Sequence, residues 1–320
     1  MDAAATTGLA EAFGEHRRFL WGLCYRLTGS AADADDLVQE TFARAIERPP
    51  ARTDEPWRPW LVRVALNLGR DALRARRRRA YVGPWLPAPI ETGDEASPPS
   101  VEPAVAGGTT EGRYDLLESV SYAFLVALEA LTPLQRAVLL LRDVFDYTVA
   151  ETSDALGTSE ANVKTTHHRA RRRMAAYDCS RTVPTRALQE RTQAALERFV
   201  GALAAADLPA IESLLSESVR AMSDGAGEFH AARVPIVGRT RVARFHWNIA
   251  RRRTATALPG MELRMLNGLP ALLIEMRDGA RNEPARFVIR ADVDAEGRIV
   301  ALHLILATRK LTAIAHESSG

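Results

Sequence analysis

The chain has 320 residues, 47% hydrophobic and 26% charged, with Lys+Arg 42 against Asp+Glu 40 for a net charge of +2. That length suggests two or three domains, and the composition excludes disordered, collagen-like and low-complexity chains. Two distant cysteines, Cys24 and Cys179, imply no disulfide framework. No apolar run approaches the ~18 residues a membrane span needs, and the N-terminus shows no secretory signal, so a reducing, cytoplasmic setting is expected.

Residues 9–80 read as helices throughout. Phe13, Phe19, Leu20, Leu23 and Leu27 recur at helical spacing, and Cys24 falls within that run as a core residue. Thr28-Gly29 interrupts the pattern, and Ser30 is the expected N-cap of a second helix reaching about Glu47. Its apolar stripe is Leu37, Val38, Phe42, Ala45 and Ile46, and Pro49-Pro50 ends it. Pro59 begins a third helix with Trp60, Leu61, Val64, Leu68 and Leu73 inward, finishing in the arginine run 76–79.

Residues 81–112 are rich in Pro, Gly, Ser and acids without helical period, and read as an extended linker. Residues 113–178 are helical again. Thr132-Pro133-Leu134-Gln135 is a capping box with proline at the first helical position. A helix over Val149–Leu156, Gly157 for a turn of positive φ, and a helix from Ser159 to about Met174 follow.

Residues 187–306 predict an α+β domain with a curved antiparallel sheet. Helices are expected at Ala187–Ala205, Leu208–Leu215 and Thr240–Arg251. Strands are expected at Val219–Ser223, Phe229–Val237, Pro270–Arg277, Ala285–Val293 and Arg298–Ala307, with turns at 224–227, Asp278-Gly279 and Glu296-Gly297. Phe287, Ile289, Ala291 and Val293 alternate with Arg286, Arg290 and Asp292, as in a half-buried strand.

Val149–Met174 describes a helix–turn–helix. Ala161, Val163, Ala170 and Met174 are expected to face the core, with Asn162, Lys164, Thr165, His168, Arg169 and Arg172 outward. Such side chains can read bases, while Arg171, Arg172 and Arg173 would meet phosphates. Spacing alone leaves a solvated basic helical hairpin open as the other reading. Thr152 and Ser153 stand where an apolar and a small residue are usual, which predicts looser packing there. His167 and His168 point about 100° apart on a helix and do not converge on a metal. Asp33, Asp35, Asp36, Gln39 and Glu40 form an acidic face suited to a basic partner or simply to solvent. Trp57, Trp60, Arg63, Asn67, Arg70, Asp71 and Arg74 interleave rings and guanidinium groups, as single-stranded DNA binding requires, unless the tryptophans are core.

RLTGSAADADDLVQETFARA followed by PWRPWLVRVALNLGRDALRARRRR resembles region two of bacterial extracytoplasmic-function sigma factors of the sigma-70 family. LEALTPLQRAVLLLRDVFDYTVAETSDALGTSEANVKTTHHRARRRM resembles their region four. The resemblance implies a multidomain chain: two all-α sigma domains at 9–80 and 113–178, joined by the 81–112 linker and followed by an α+β domain at 187–310. It implies that Asp35, Asp36, Leu37, Gln39, Glu40 and Phe42 dock on the β′ clamp helices of core RNA polymerase. Trp57, Trp60, Arg63, Asn67, Asp71, Arg74 and Arg77 would read and melt the −10 element of promoter DNA. Asn162, Lys164, Thr165, His168, Arg169 and Arg172 would read the −35 element, with region four at the β flap. No covalent chemistry, cofactor, metal or membrane is implied.

Residues 187–306 resemble the SnoaL-like fold, a cone-shaped α+β barrel that some of these sigma factors carry. Trp85-Leu86-Pro87 resembles the linker signature of that subgroup. Asp224-Gly225-Ala226-Gly227 resembles its Asp-Gly-Gly-Gly turn, with Ala226 in the third place. Of its final Asn-Pro-Asp-Lys motif only Lys310 is kept, after Ala307-Thr308-Arg309. This domain would regulate the sigma regions in cis. Against that stand a cyclase-type enzyme, for which Asp224, His230, His246 and His303 are candidates, and a pocket that binds a small-molecule ligand without turnover. His303 reads as a satisfied core histidine and Asp224 as a turn-former. For the whole chain the rival is a stand-alone helix–turn–helix regulator.

Overall fold

The computed structural model describes residues 3–49, 56–79, 81–92, 113–253, 260–276 and 283–315. They form two compact units, residues 3–79 with 113–183 and residues 81–92 with 184–315. The expected turn Asp278-Gly279, Arg277, Pro50 and linker residues 93–112 lie outside the described residues.

The first unit is all helix. α1 (Ala3–Thr28), α2 (Ala31–Glu47) and α3 (Trp57–Arg78) precede a 3-10 turn at Glu118–Val120, then α4 (Tyr122–Leu128), α5 (Pro133–Asp143), α6 (Val149–Leu156) and α7 (Glu160–Asp178). Local chemistry sets the boundaries. Ser30 accepts from the Asp33 backbone N–H, and Thr132/Gln135 and Thr148/Glu151 form reciprocal capping boxes. Gly157 ends α6 at φ +59°, a conformation glycine adopts without penalty.

Leu20, Leu23, Leu27, Leu61 and Leu66 are fully buried, as is Cys24, whose thiol burial pushes up to about 12. The apolar stripes are shifted from the expected ones. Phe13 and Ile46 are 43% and 51% exposed. On α3, Val62, Ala65, Leu66 and Gly69 turn inward, while Trp60, Val64 and Leu68 are only half-buried. Gly69 decides this: a Cβ there would meet Leu27 Cδ2 at 2.4 Å, so the glycine side is where α3 comes closest to α1.

The second unit contains α8 (Arg186–Ala204), α9 (Leu208–Leu214) and α10 (Arg239–Arg253). Its strands are β1 (Leu215–Asp224), β2 (Ile236–Val237), β3 (Gly260–Leu266), β4 (Leu269–Glu275), β5 (Arg286–Val293) and β6 (Ile299–Ile305). The sheet order is β2-β1-β6-β5-β4-β3. The sheet is mixed rather than antiparallel, because β1 runs parallel to β6, with Ala221 opposite Leu302. A parallel pair needs a long crossover, and α10 and the β3–β5 meander supply it. The expected strand at Phe229–Val237 shrinks to β2. Conversely, β3 was not expected, although Met261, Leu263 and Met265 alternate with Glu262 and Arg264.

One face of the sheet packs on the helices, where Ala221, Leu272, Ile289, Leu302 and Leu304 meet Leu196, Phe199, Ile211 and Val242. The opposite face is buried too, at Ala271, Leu273, Val288, Arg290, His303 and Ile305, so β5 is not the half-buried strand its alternation suggests. Linker residues 81–92 belong to this unit. Leu86, Ala88 and Ile90 are buried. The Thr92 backbone N–H donates to Met265 O at 2.8 Å, and that of Asn267 donates to Ile90 O at 3.0 Å, so the segment pairs with the end of β3.

Candidate polymerase and nucleic-acid interfaces

The helix–turn–helix is α6–Gly157–α7. Val163, Thr166, Ala170 and Met174 are buried, whereas Ala161, expected inward, is exposed. Thr152 is fully buried and its hydroxyl has no hydrogen-bond partner among the described residues, while Ser153 Oγ donates to Thr158 O at 2.6 Å and closes the turn. The outward face comprises Asn162, Lys164, Thr165, His168, Arg169 and Arg172, all exposed. Asn162 is held by Thr158, with its amide 2.7 Å from Thr158 Oγ1, and Thr165 donates to Ala161 O at 3.0 Å. Lys164 lies 3.8 Å from Glu160. His168, Arg169 and Arg172 have no partner among the described residues.

Spacing did not show what orients α7. Asp143, at the end of α5 and nearly buried, receives His167 Nε2 at 2.8 Å and the Arg171 guanidinium at 3.0 and 3.1 Å. Hydrogen bonds and charge from His167 and Arg171 hold the Asp143 carboxyl below its ordinary range against the opposing effect of burial. His167 and Arg171 therefore anchor the helix, and Arg173 donates to Ala130 O. Of the three arginines expected to meet phosphates, Arg172 alone is without such a tie.

On α2, Asp35, Asp36, Gln39 and Glu40 share one exposed face, while Leu37 and Phe42 lie beneath it, 7% and 6% exposed. Leu37 and Phe42 thus support the surface rather than form it. Trp21 Nε1 donates to Asp35 at 2.9 Å. A cleft of about 470 Å³ separates α2 from α3, lined by Glu40, Arg44, Glu47, Arg48, Trp60 and Val64. Trp57 and Trp60 are half-buried and meet edge to face at 6.5 Å. Asn67, Asp71 and Arg74 are exposed further along α3, with Arg74 2.8 Å from Asp71.

Other α3 arginines reach the second helical group. Arg63 donates to Asp154 O at 2.7 Å and Arg77 to Leu131 O. Arg76 grips both oxygens of Glu129 at 2.9 and 2.8 Å, and Arg136, 2% exposed, holds the same carboxylate at 2.7 Å and donates to Leu27 O. Arg26, fully buried, donates to Ser119 Oγ at 2.7 Å and Leu116 O at 3.0 Å, and burial lowers its guanidinium to about 9. Two of the residues expected on the −10 element therefore hold the two helical groups together here.

In the second unit a buried cluster gathers residues far apart in sequence. Asp224 Oδ1 accepts from Tyr81 Oη at 2.6 Å and from Ala226 N at 3.1 Å. Its Oδ2 accepts from Leu86 N at 2.7 Å and from Lys310 Nζ at 2.5 Å. Lys310 also donates to Leu86 O, and its ammonium lies 4.1 Å from the centre of the Trp85 ring. Gly225 is required, since a Cβ there would stand 2.8 Å from Phe229 O, and Gly227 (φ +80°) packs beside Val82. Pro87 continues the segment between Leu86 and Ala88. The candidate acid–base residues go elsewhere. His246 is buried among apolar groups, its Nδ1–H donating to Val242 O at 2.9 Å, and His303 lies 3.9 Å from Asp292. His230 is exposed.

Comparison with known proteins accords with this geometry. Residues 12–79 match the family model for sigma-70 region 2, and residues 121–174 that for sigma-70 region 4. The chain is 34% identical over 255 residues to the ECF RNA polymerase sigma factor SigJ of Mycobacterium tuberculosis (strain ATCC 25618 / H37Rv), covering 79% of this chain and 76% of SigJ. It is 32% identical to SigG of the same strain, covering 89% of this chain and 78% of SigG. The crystal structure of M. tuberculosis SigJ superposes with a TM-score of 0.69 at 29% identity, covering 95% of this chain and 98% of that one. The chain belongs to the extracytoplasmic-function sigma factors of the sigma-70 family. It is an alternative sigma factor acting in transcription initiation, with a SnoaL-like α+β extension at its C-terminal end, and sigma factors are not enzymes.

Proposed function

We propose that the α2 face Asp35, Asp36, Gln39 and Glu40, underpinned by Leu37 and Phe42, docks on the β′ clamp helices of core polymerase, with region four at the β flap. Trp57, Trp60, Arg63, Asn67, Asp71, Arg74 and Arg77 would then read and open the −10 element. The exposed α7 set, led by His168, Arg169 and Arg172, would read the −35 element in the major groove. Polymerase supplies what the chain lacks: a base taken out of the stack loses a few kcal/mol, and a clamped partner helps replace it. The chain would act in the cytoplasm, where its polymerase is.

The SnoaL-like extension would modulate this activity in cis through the connection between the sigma regions. The observation that carries this reading is the Asp224–Lys310 cluster, which seats Tyr81, Trp85 and Leu86 of that connection in the C-terminal unit. Asp224 is engaged by four donors in this cluster, which favours a structural clamp over an acid–base role.

Run-off transcription with purified core polymerase tests both parts. Asp36→Arg should abolish copurification with core enzyme while the fold is retained, and wild-type binding by that variant would overturn the docking surface. Removing the chain from about Ala187 onward should change promoter-dependent transcript yield. Identical yield would demote the extension to a passenger.

A further inference from the structure

From Phe229 to Met261 the sequence carries seven arginines and no aspartate or glutamate. Most of them lie on α10. Arg241, Arg244, Asn248 and Arg251 follow one another at spacings of three, four and three residues, so they form one stripe along the helix, and all four are exposed. Val242, Ala243 and His246 occupy the opposite, buried side. Several other arginines of this unit find acids: Arg264 meets Glu91 and Glu262, Arg286 meets Glu275, Arg298 meets Asp294 and Glu296, and at the start of α10 Arg239 meets Glu217 at 2.8 Å. Arg241 and Arg244 have no hydrogen-bond or ion-pair partner among the described residues. Arg251 lies over the Trp247 ring at 4.5 Å, and Trp247 is itself tied down by its N–H to Ala206 O at 2.7 Å.

We propose that this α10 stripe is a second DNA-contacting surface, one that meets the phosphate backbone of duplex DNA without reading bases. Ten residues of helix extend ~15 Å, a length of duplex that presents about nine phosphates. Guanidinium groups are weakly hydrated and forked, which suits phosphate oxygens, and Asn248 adds a neutral donor within the stripe. The segment carries no acid of its own, and Glu217, which reaches in from β1, pairs with Arg239 and leaves Arg241 and Arg244 without an acid among the described residues. An acidic protein or single-stranded RNA would also meet the charge requirement. Duplex DNA is favoured because the chain is a sigma factor and works beside it, and on that assignment this choice rests. The contact adds affinity at any sequence and steers the chain onto DNA.

The test is a salt titration of the full-length chain on a 30-base-pair duplex lacking promoter elements, comparing wild type with Arg241→Gln/Arg244→Gln. Loss of two phosphate contacts should make the slope of log K against log salt shallower by about 1.8, at ~0.9 per phosphate. Arg241→Lys/Arg244→Lys should keep the wild-type slope. Both pairs are exposed, and matching thermal melts confirm the fold. An unchanged slope and affinity would overturn the proposal. So would a larger loss on single-stranded RNA of the same length than on duplex. Copurification of the wild type with core polymerase is scored separately, so failure of the sigma reading is distinguishable from failure of the stripe.

Discussion

Lys310 places its ammonium 2.5 Å from Oδ2 of Asp224, with the carboxylate fully buried and the lysine side chain 8% exposed. Removing one member of a buried pair leaves the other charge stranded, which typically costs 3–5 kcal/mol, whereas replacing both can be close to neutral. Lys310→Met should therefore lower the stability of the full chain by about 3 kcal/mol. Lys310→Met/Asp224→Asn should recover much of that loss. Urea denaturation of the four proteins gives the coupling. Additive losses would show that the two groups do not depend on each other.

Glu129 is shared between Arg76 and the buried Arg136. Burial pulls the Arg136 guanidinium down and Glu129 raises it again. Glu129→Gln should cost about 2 kcal/mol, less than a fully buried pair because the carboxylate is partly solvated. Glu129→Gln should also loosen region two from region four, read as faster proteolysis between the two regions. An unchanged urea midpoint and cleavage rate would refute the role given to this carboxylate.

Ala226 sits at φ +49°, between Gly225 and Gly227. A left-handed conformation costs an L-residue about 1–2 kcal/mol that glycine avoids. Glycine also loses more entropy on folding, so the net gain for Ala226→Gly should be about 0.5–1 kcal/mol. Thermal unfolding measures it, and a lower melting temperature would contradict the strain argument.

His246 and His303 are both buried, and burial is the main cause that lowers each to about 4. His246 meets Phe199 and Phe245 edge to face, while Asp292 partly offsets the effect at His303. An unfolded histidine titrates near ~6.5, so between pH 6.5 and 4 the unfolded chain takes up protons that the folded chain refuses. This contribution is absent above pH 6.5 and lowers stability progressively as pH falls, by about 2 kcal/mol per ring at pH 5. His303→Gln should therefore lose less stability than wild type between pH 7 and pH 5. Equal losses in urea titrations at the two pH values would rule it out.

Much of the first unit was legible because its signals are local. Caps, turns and spacing within four residues announce α2, α5, α6 and α7, and the paired motifs carried the family. Side-chain facing was less legible. Ile46, Phe13 and Ala161 fit apolar stripes yet end exposed, because which side of a helix is covered depends on where its neighbours pack, as at Gly69 against Leu27. The interface set on α2 and α7 was readable as a set of exposed polar residues. Asp143, which orients α7, and Glu129, which ties α3 to α5, were not, since an isolated acid in a sequence gives no sign of the cation it will meet.

By itself, then, the order of amino acids determined the helices, their caps and the helix–turn–helix, all of which follow from interactions between near neighbours along the chain. The folded molecule alone decided that β1 pairs with β6, that the linker becomes an edge of the second unit, and that Asp224 and Lys310, 86 positions apart, share one buried site. Such pairings depend on which surfaces are left to cover after the local elements form, and burial makes them strong only once water has been excluded.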